Sequence, residues 1–228
     1  MTVVRSTVST TLRVLNRWLD RRFPHWKSEL RFDSPWQLLA STILSAQCTD
    51  ARVNQVTPAL FARYPTVDAT ASAKPAEVEA IIRSTGFYRT KARSLINCAK
   101  RLVTEHGGRV PDRMDQLVGL PGIGRKTANV VLGHAFGRPG VVVDTHVRRV
   151  SQRLGLSRSN DPVRIEADLA RLFPHRSWTK RSNQLLLHGR YICVARRPRC
   201  GECGLHTVCP WYRKFGSEKI DTPSGSSV

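Results

Sequence analysis

Apolar residues recur along most of the chain at the three- and four-residue intervals of an amphipathic helix. Leu12, Leu15, Trp18 and Leu19 form one such stripe near the N-terminus. Asp33-Ser34-Pro35 supplies a capping side chain and then a proline suited to a first helical turn, leading into Trp36, Leu39, Ile43 and Ala46. Pro75 opens a shorter stripe through Val78, Ile81 and Ile82. The clearest pattern runs through Ala92, Leu95, Ile96, Ala99, Leu102 and Val103 and stops at Gly107-Gly108, a C-terminal helix signal. The same spacing predicts helices over 125–136, 145–154, 162–172 and 180–190. Gly140-Val141-Val142-Val143 is the only strand-like run, and one short run cannot make a sheet. The predicted fold is all-α.

Between these stripes, Gly137-Arg138-Pro139-Gly140 is a strong breaker and reads as a hinge between domains. The end of the chain, 217–228, is rich in serine with proline and glycine, so a frayed tail is expected there. The sequence has no internal repeat.

Charge narrows the class of partner. The 228 residues carry 37 Lys+Arg against 17 Asp+Glu, a formal net charge of +20. Such a field attracts a polyanion, because each phosphate neutralised releases condensed counterions. Nucleic acid is the first candidate and an anionic membrane surface the second. No apolar run approaches the ~18 residues a membrane span needs, and 1–15 lacks the uninterrupted apolar core of a signal peptide. A cytoplasmic protein is therefore expected.

Cysteine placement points to a metal site. Of six cysteines, four fall at Cys193-x6-Cys200-x2-Cys203-x5-Cys209, while Cys48 and Cys98 lie alone in helical patterns and read as small buried hydrophobes. Four soft thiolates in one tight segment suit an iron–sulfur cluster or zinc. A zinc ribbon pairs two C-x2-C knuckles at longer separation, and this run holds one such knuckle with wider flanking gaps, so the cluster ranks ahead. Disulfides rank last in a reducing compartment. Between the first two ligands, Arg196, Arg197 and Arg199 sit on a loop fixed at both ends, a cationic prong suited to phosphates; the alternative is a solvated basic loop.

A second constellation is Leu117-Val118-Gly119-Leu120-Pro121-Gly122-Ile123-Gly124-Arg125-Lys126-Thr127. Gly119 and Gly124 have the separation of a phosphate loop, but Arg125 intrudes before Lys126 and no strand precedes, so that reading fails. A helix–hairpin–helix fits better. Gly122 and Gly124 let the backbone turn sharply and approach a phosphate, and the next helix offers free N–H groups there. Lys126 falls in the first turn of that helix, where the positive dipole end and apolar neighbours should lower its pKa toward nucleophilic use; alone it reads as a phosphate contact. Asp144, after Val141-Val142-Val143, caps the following helix and could also stabilise a developing cation near Lys126. His146 reads as structural.

Taken together, L-P-G-I-G-R-K-T-A-N-V-V, V-D-T-H-V-x-R-V, L-H-G-R-Y-x-C and the four-cysteine run resemble the bacterial endonuclease III family, as do D-S-P-W-Q-L-L-A-S-T-I-L-S-A-Q-C-T-D and T-G-F-Y-R-T-K-A upstream. The resemblance spans nearly the whole chain, to Cys209. It implies two all-α lobes flanking a DNA-binding cleft: a six-helix lobe over 28–138 bearing the hairpin, and a cluster lobe made of 1–27 plus 139–228. It implies a [4Fe–4S] cluster on Cys193, Cys200, Cys203 and Cys209, and a monomer acting on double-stranded DNA that contains damaged bases or abasic sites.

The implied activity is that of a bifunctional DNA glycosylase/AP lyase of base excision repair. An oxidised pyrimidine is flipped out, Lys126 displaces it from C1′ as a Schiff base, Asp144 supports the cationic sugar, and β-elimination cuts 3′ to the site. Gln47 and Phe87 match positions that fill the vacated gap or wedge the duplex, and Leu120, Gly122, Gly124, Arg125, Arg196, Arg197 and Arg199 complete the expected DNA contacts. Phe87 stands where a family member carries leucine, and Val118 where some carry an acidic residue. The adenine-mismatch branch of the superfamily lacks a lysine at the position of Lys126, which this chain keeps. A non-catalytic DNA binder would need neither Lys126 nor Asp144.

Overall fold

The computed structural model describes residues 2–216, and side chains from residue 10 onward. The predicted tail at 217–228 lies outside the described residues. Among those described there is no strand, and the fold is all-α. The valine run expected to be extended is a connecting segment without a ladder; Val141 and Val142 are buried instead. With no second strand to pair with, the run serves the core through its side chains alone.

By contacts, the chain divides into two compact units, one of Ser28–Gly140 and one of Met1–Lys27 with Val141–Val228. The first unit contains helices α2 (Pro35–Leu44), α3 (Asp50–Arg63), α4 (Val67–Ala71), α5 (Pro75–Ile82), α6 (Tyr88–His106), α7 (Met114–Val118) and α8 (Arg125–Ala135). Ser34 caps α2 by accepting from the Gln37 amide, with Pro35 at its first turn, as the sequence signal indicates. Helix α2 ends at Leu44, so Ala46 and Cys48 fall in the turn that follows rather than on the helix. Helix α6 is the centre of this unit: Ala92, Leu95, Cys98, Ala99 and Leu102 are fully buried, and α4 and α5 pack on it. It stops at left-handed Gly107, and the amide of Gly108 returns to the Leu102 carbonyl at 2.9 Å. Burial pushes the Cys98 thiol up to about 12, which makes it the inert core hydrophobe expected.

The second unit joins α1 (Thr2–Arg22) to α9 (Thr145–Arg153), α10 (Pro162–Leu172), α11 (Trp178–Tyr191) and α12 (Pro210–Phe215). Leu15, Leu19, Val147, Val150, Ile165, Leu169 and Leu185 form its core. Helices α9 and α11 touch closely because residue 189 is glycine: a Cβ there would meet His146 Cβ at 2.9 Å and Val150 Cγ2 at 3.0 Å.

The C-terminal end of α1 is satisfied by a side chain from far along the sequence. Fully buried Gln184 donates to the carbonyls of Leu19 and Phe23, both at 3.1 Å. Arg181 pairs with Asp20 at 2.8 and 3.0 Å. Among the described residues no helix is long and apolar enough to cross a membrane.

Candidate functional site

In the first unit the hairpin lies between α7 and α8. The Leu120 amide donates to Leu117 O and the Ile123 amide to Leu120 O, each at 3.1 Å, a pair of tight turns. Leu120 and Ile123 are buried beneath it, so Leu120 can offer a ligand its backbone and not its side chain. Gly122 takes φ +78, and a Cβ there would press on Ser94 Cβ at 3.2 Å. Gly124 precedes α8 with no capping side chain, so the first-turn amides have no side chain to receive them. Lys126 projects from this turn, exposed, with no ion pair to any described residue. Uncapped amides, an open glycine backbone and an adjacent ammonium make a receptor for an anion.

Gln47 and Phe87 share an unusual backbone. With Arg197 they are the described non-glycine residues at positive φ, at 52°, 47° and 51°. Such conformations cost of order 1–3 kcal/mol each and persist where surrounding structure imposes them. All three were picked out from the sequence as DNA contacts. Phe87 is 67% exposed, a large aromatic ring standing in solvent.

In the second unit Asp144 begins α9. Its Oδ1 accepts from the Val147 amide at 2.8 Å, the expected cap, and Oδ2 makes no hydrogen bond among the described residues. Half-buried, it therefore keeps one carboxylate oxygen for other work. Lys126 and Asp144 belong to different units. His146 is half-buried against Arg149, whose Nη2 lies 3.2 Å from its Nδ1, a structural contact.

Cys193, Cys200, Cys203 and Cys209 line one cavity, and none is in a disulfide. No three described His, Cys, Asp or Glu side chains are drawn together as tightly as a single metal ion requires. The donors around the sulfurs are nevertheless those that thiolates need. Arg153 Nη1 lies 3.4 Å from Cys193 Sγ, and the Tyr212 amide donates to Cys209 Sγ at 3.4 Å. His188 Nδ1 accepts from Trp18 Nε1 at 3.4 Å, which leaves Nε2–H facing Cys203 Sγ at 3.9 Å. Burial holds this imidazole neutral by lowering its pKa to about 4. Burial likewise pushes the Cys203 thiol up to about 12 and raises Cys200 and Cys209, with the neighbouring sulfurs adding to it. Thiolates buried side by side need a compensating positive centre, which iron would supply. The donor set fits an iron–sulfur cluster.

The loop between the first two cysteines is clamped from α9. Arg153 donates to the carbonyls of Val194 and Ala195 at 2.8 and 3.0 Å, and Arg149 to those of Cys193 and Gly189 at 3.0 and 2.7 Å. Arg196, Arg197 and Arg199 stand exposed on it. Neither clamp was identified from the sequence. Their spacing of four residues signals a shared helix face, but not which distant carbonyls that face would meet.

Comparison with known proteins gives a consistent answer. The family model described as HhH-GPD superfamily base excision DNA repair protein matches residues 40–175. Endonuclease III of Synechocystis sp. is 53% identical over 84% of this chain and 88% of its own length. Endonuclease III of Escherichia coli is 40% identical over 89% of this chain and 96% of its own. Among solved structures, a trapped endonuclease III–DNA covalent intermediate, an estranged-adenine complex, superposes with a TM-score of 0.87 at 40% identity, covering 92% of this chain and 98% of that one. A thermostable thymine-DNA glycosylase follows at 0.75 and 28% identity, with 92% and 96% covered.

Proposed function

Because this chain belongs to the endonuclease III family of HhH-GPD superfamily base excision DNA repair proteins, we propose that it is a bifunctional DNA glycosylase/AP lyase that binds damaged duplex DNA and excises oxidised pyrimidines. The observation that carries this reading is the exposed lysine on the first turn of α8, beside an uncapped helix start that suits a backbone phosphate. The hairpin contacts phosphate and sugar and so reads no sequence, as a lesion-scanning protein requires.

Lys126 is the nucleophile. Its amine lone pair forms a bond to C1′, and the C1′–base bond breaks with its electron pair leaving on the base, which takes up a proton. Ring opening at O4′ turns the adduct into a protonated Schiff base. Loss of a C2′ proton then expels the 3′ phosphate, cutting 3′ to the site. Asp144, with one oxygen committed to its helix and one available, stabilises the cationic sugar and relays protons. Cys193, Cys200, Cys203 and Cys209 would hold a [4Fe–4S] cluster, which when bound supplies a rigid anchor for the Arg196–Arg199 loop. Arg153 and Arg149 fix that loop from α9, and its arginines engage phosphates. The protein works as a monomer in the cytoplasm, beside the nucleoid.

Borohydride reduction during turnover of thymine-glycol duplex tests the chemistry. The wild type becomes covalently attached to DNA, and Lys126→Ala does not. An undiminished trapping yield in that variant would remove Lys126 from the reaction. Iron and acid-labile sulfide analysis tests the cluster separately; stoichiometric zinc in a colourless protein would replace it.

A further inference from the structure

Among the described residues, three of the four clustered sulfurs meet hydrogen-bond donors, and the donors differ in kind. Cys193 Sγ faces the Arg153 guanidinium, Cys209 Sγ the amides of Trp211 and Tyr212, and Cys203 Sγ the Leu205 amide and the His188 ring. A guanidinium or an amide always donates. A neutral imidazole donates from Nε2 only when its single proton lies there. Of these donors, His188 is therefore the one whose state another residue can choose.

Trp18 on α1 makes that choice. Its indole nitrogen is a donor only and lies 3.4 Å from His188 Nδ1, so Nδ1 presents its lone pair and Nε2 carries the proton. His188 is 1% exposed, and Cys203 Sγ at 3.9 Å is the one partner of Nε2 among the described residues. That separation is long for an oxygen acceptor but within reach of sulfur, whose radius is larger. A buried N–H without an acceptor is costly, and a thiolate accepts better than a neutral thiol.

The ring is also held in place. Trp18 and Phe23 meet it edge to face, with centroids 6.5 and 6.3 Å away. Trp18 is itself seated on the cysteine loop because residue 204 is glycine: a Cβ there would fall 2.4 Å from its Cε3. All these groups belong to one unit, although Trp18 and His188 lie 170 residues apart.

A hydrogen bond to a cluster thiolate stabilises the more negative charge state, because it withdraws electron density from sulfur. We propose that Trp18 and His188 together set the reduction potential of the cluster, by holding one N–H on Cys203 Sγ. The proposal rests on the [4Fe–4S] reading above and gives the N-terminal helix a part in it. On oxidation one electron passes to an external one-electron acceptor, and no proton moves, because the Nε2 proton stays on nitrogen. Loss of the donor therefore makes oxidation easier and lowers the potential.

Voltammetry of the purified iron-loaded protein, with the electrode as electron acceptor, tests this. His188→Leu removes the donor. It should shift the oxidised-to-reduced ratio at the wild-type midpoint about tenfold toward oxidised, which is about 59 mV for one electron. His188→Gln retains an amide N–H for Cys203 and should stay within about twofold of wild type. Trp18→Phe leaves His188 in place but frees its tautomer and tilt, so a shift of about threefold in the same direction is expected. An unmoved potential in His188→Leu or in Trp18→Phe overturns the proposal, as do equal shifts in the two His188 variants, which lost packing alone would produce. If the buried leucine prevents assembly, the other two variants decide: Trp18→Phe must shift and His188→Gln must not. Wild-type protein that holds no iron and no acid-labile sulfide would instead overturn the cluster reading on which the proposal stands.

Discussion

Buried polar groups are handled differently in the two units. Within Ser28–Gly140 they close on nearby backbone: Thr70 bonds Thr66 O, Thr85 bonds Ile82 O and Lys91 bonds Thr85 O. In the other unit, beside local bonds such as that of Ser182 to Thr179 O, several reach across the chain. Gln184 bonds Leu19 O and Phe23 O, Arg181 bonds Asp20, and Asn183 bonds Trp26 O, over separations of 157 to 165 residues. The continuous unit is thus specified by helices that bury apolar stripes in sequence order. The discontinuous one must hold its first helix against partners from the far end of the chain, and it does so with side chains that complete α1's open carbonyls. One unit supplies the candidate nucleophile on an exposed turn, the other the candidate carboxylate at a helix start.

Substitutions at the proposed site separate chemistry from this architecture most sharply. Lys126→Ala should abolish borohydride trapping, yet shift unfolding free energy by no more than about 0.5 kcal/mol, since the side chain is exposed and unpaired. Asp144→Asn keeps a competent cap for α9, so stability should hold while base release slows by about 10²–10⁴ in single-turnover assays. Equal losses of stability and rate would show Asp144 to be only a cap.

The cores themselves come next. Leu102→Ala, fully buried on α6, should cost about 2–5 kcal/mol in chemical denaturation. Gln184→Ala should cost about 1–3 kcal/mol by orphaning the Leu19 and Phe23 carbonyls. Hydrogen exchange distinguishes the two: the first variant should loosen 28–140, the second α1 and α11. Uniform loosening of both units by either variant would contradict the contrast drawn between them.

The smallest effect is on pH dependence. Burial alone would raise the Asp20 carboxyl, but hydrogen bonds from Arg181, Lys180 and Gln184 outweigh it and hold Asp20 well below the usual carboxylate range. A carboxyl lowered by folding contributes fully above its unfolded value of about 3.9, and that contribution fades as pH falls below it. The stability gap between wild type and Asp20→Asn should therefore be present at pH 6 and shrink toward pH 3. It should be small and sensitive to salt, because Asp20 is 42% exposed. A gap that widens on acidification would reverse the sign argued here.

Most of the helical scaffold was legible from spacing alone. The stripes through Leu15 and Leu19, through Leu95 and Leu102, and through Ile165 and Leu169 are buried as the periodicity indicates. The caps at Ser34 and Asp144 hold as their residue types suggest. Helix α11 was harder to read, being predicted over 180–190 and found at Trp178–Tyr191 with Thr179, Ser182, Asn183, Gln184 and His188 buried. Polar burial has no periodic signature, because its energy depends on partners that the local sequence does not contain. The strand-like valines form no sheet, as expected of a single short run: a ladder needs a second strand, and the described residues offer none.

By itself, then, the sequence determined features whose partners lie within a turn or two: helix stripes, i-to-i+3 caps, the glycine hairpin that presents Lys126, and the cysteine spacing at 193–209. These rest on the 3.6-residue period and on short-range hydrogen bonds, which hold wherever the segment ends up. Tertiary structure alone decided that Arg153 faces the sulfur of Cys193, that Gln184 closes α1, and that Gln47, Phe87 and Lys91 border one cavity. Such contacts join residues 40 or more positions apart in each case but that of Phe87 and Lys91. Packing of whole helices fixes them, and the order of residues along any one helix does not.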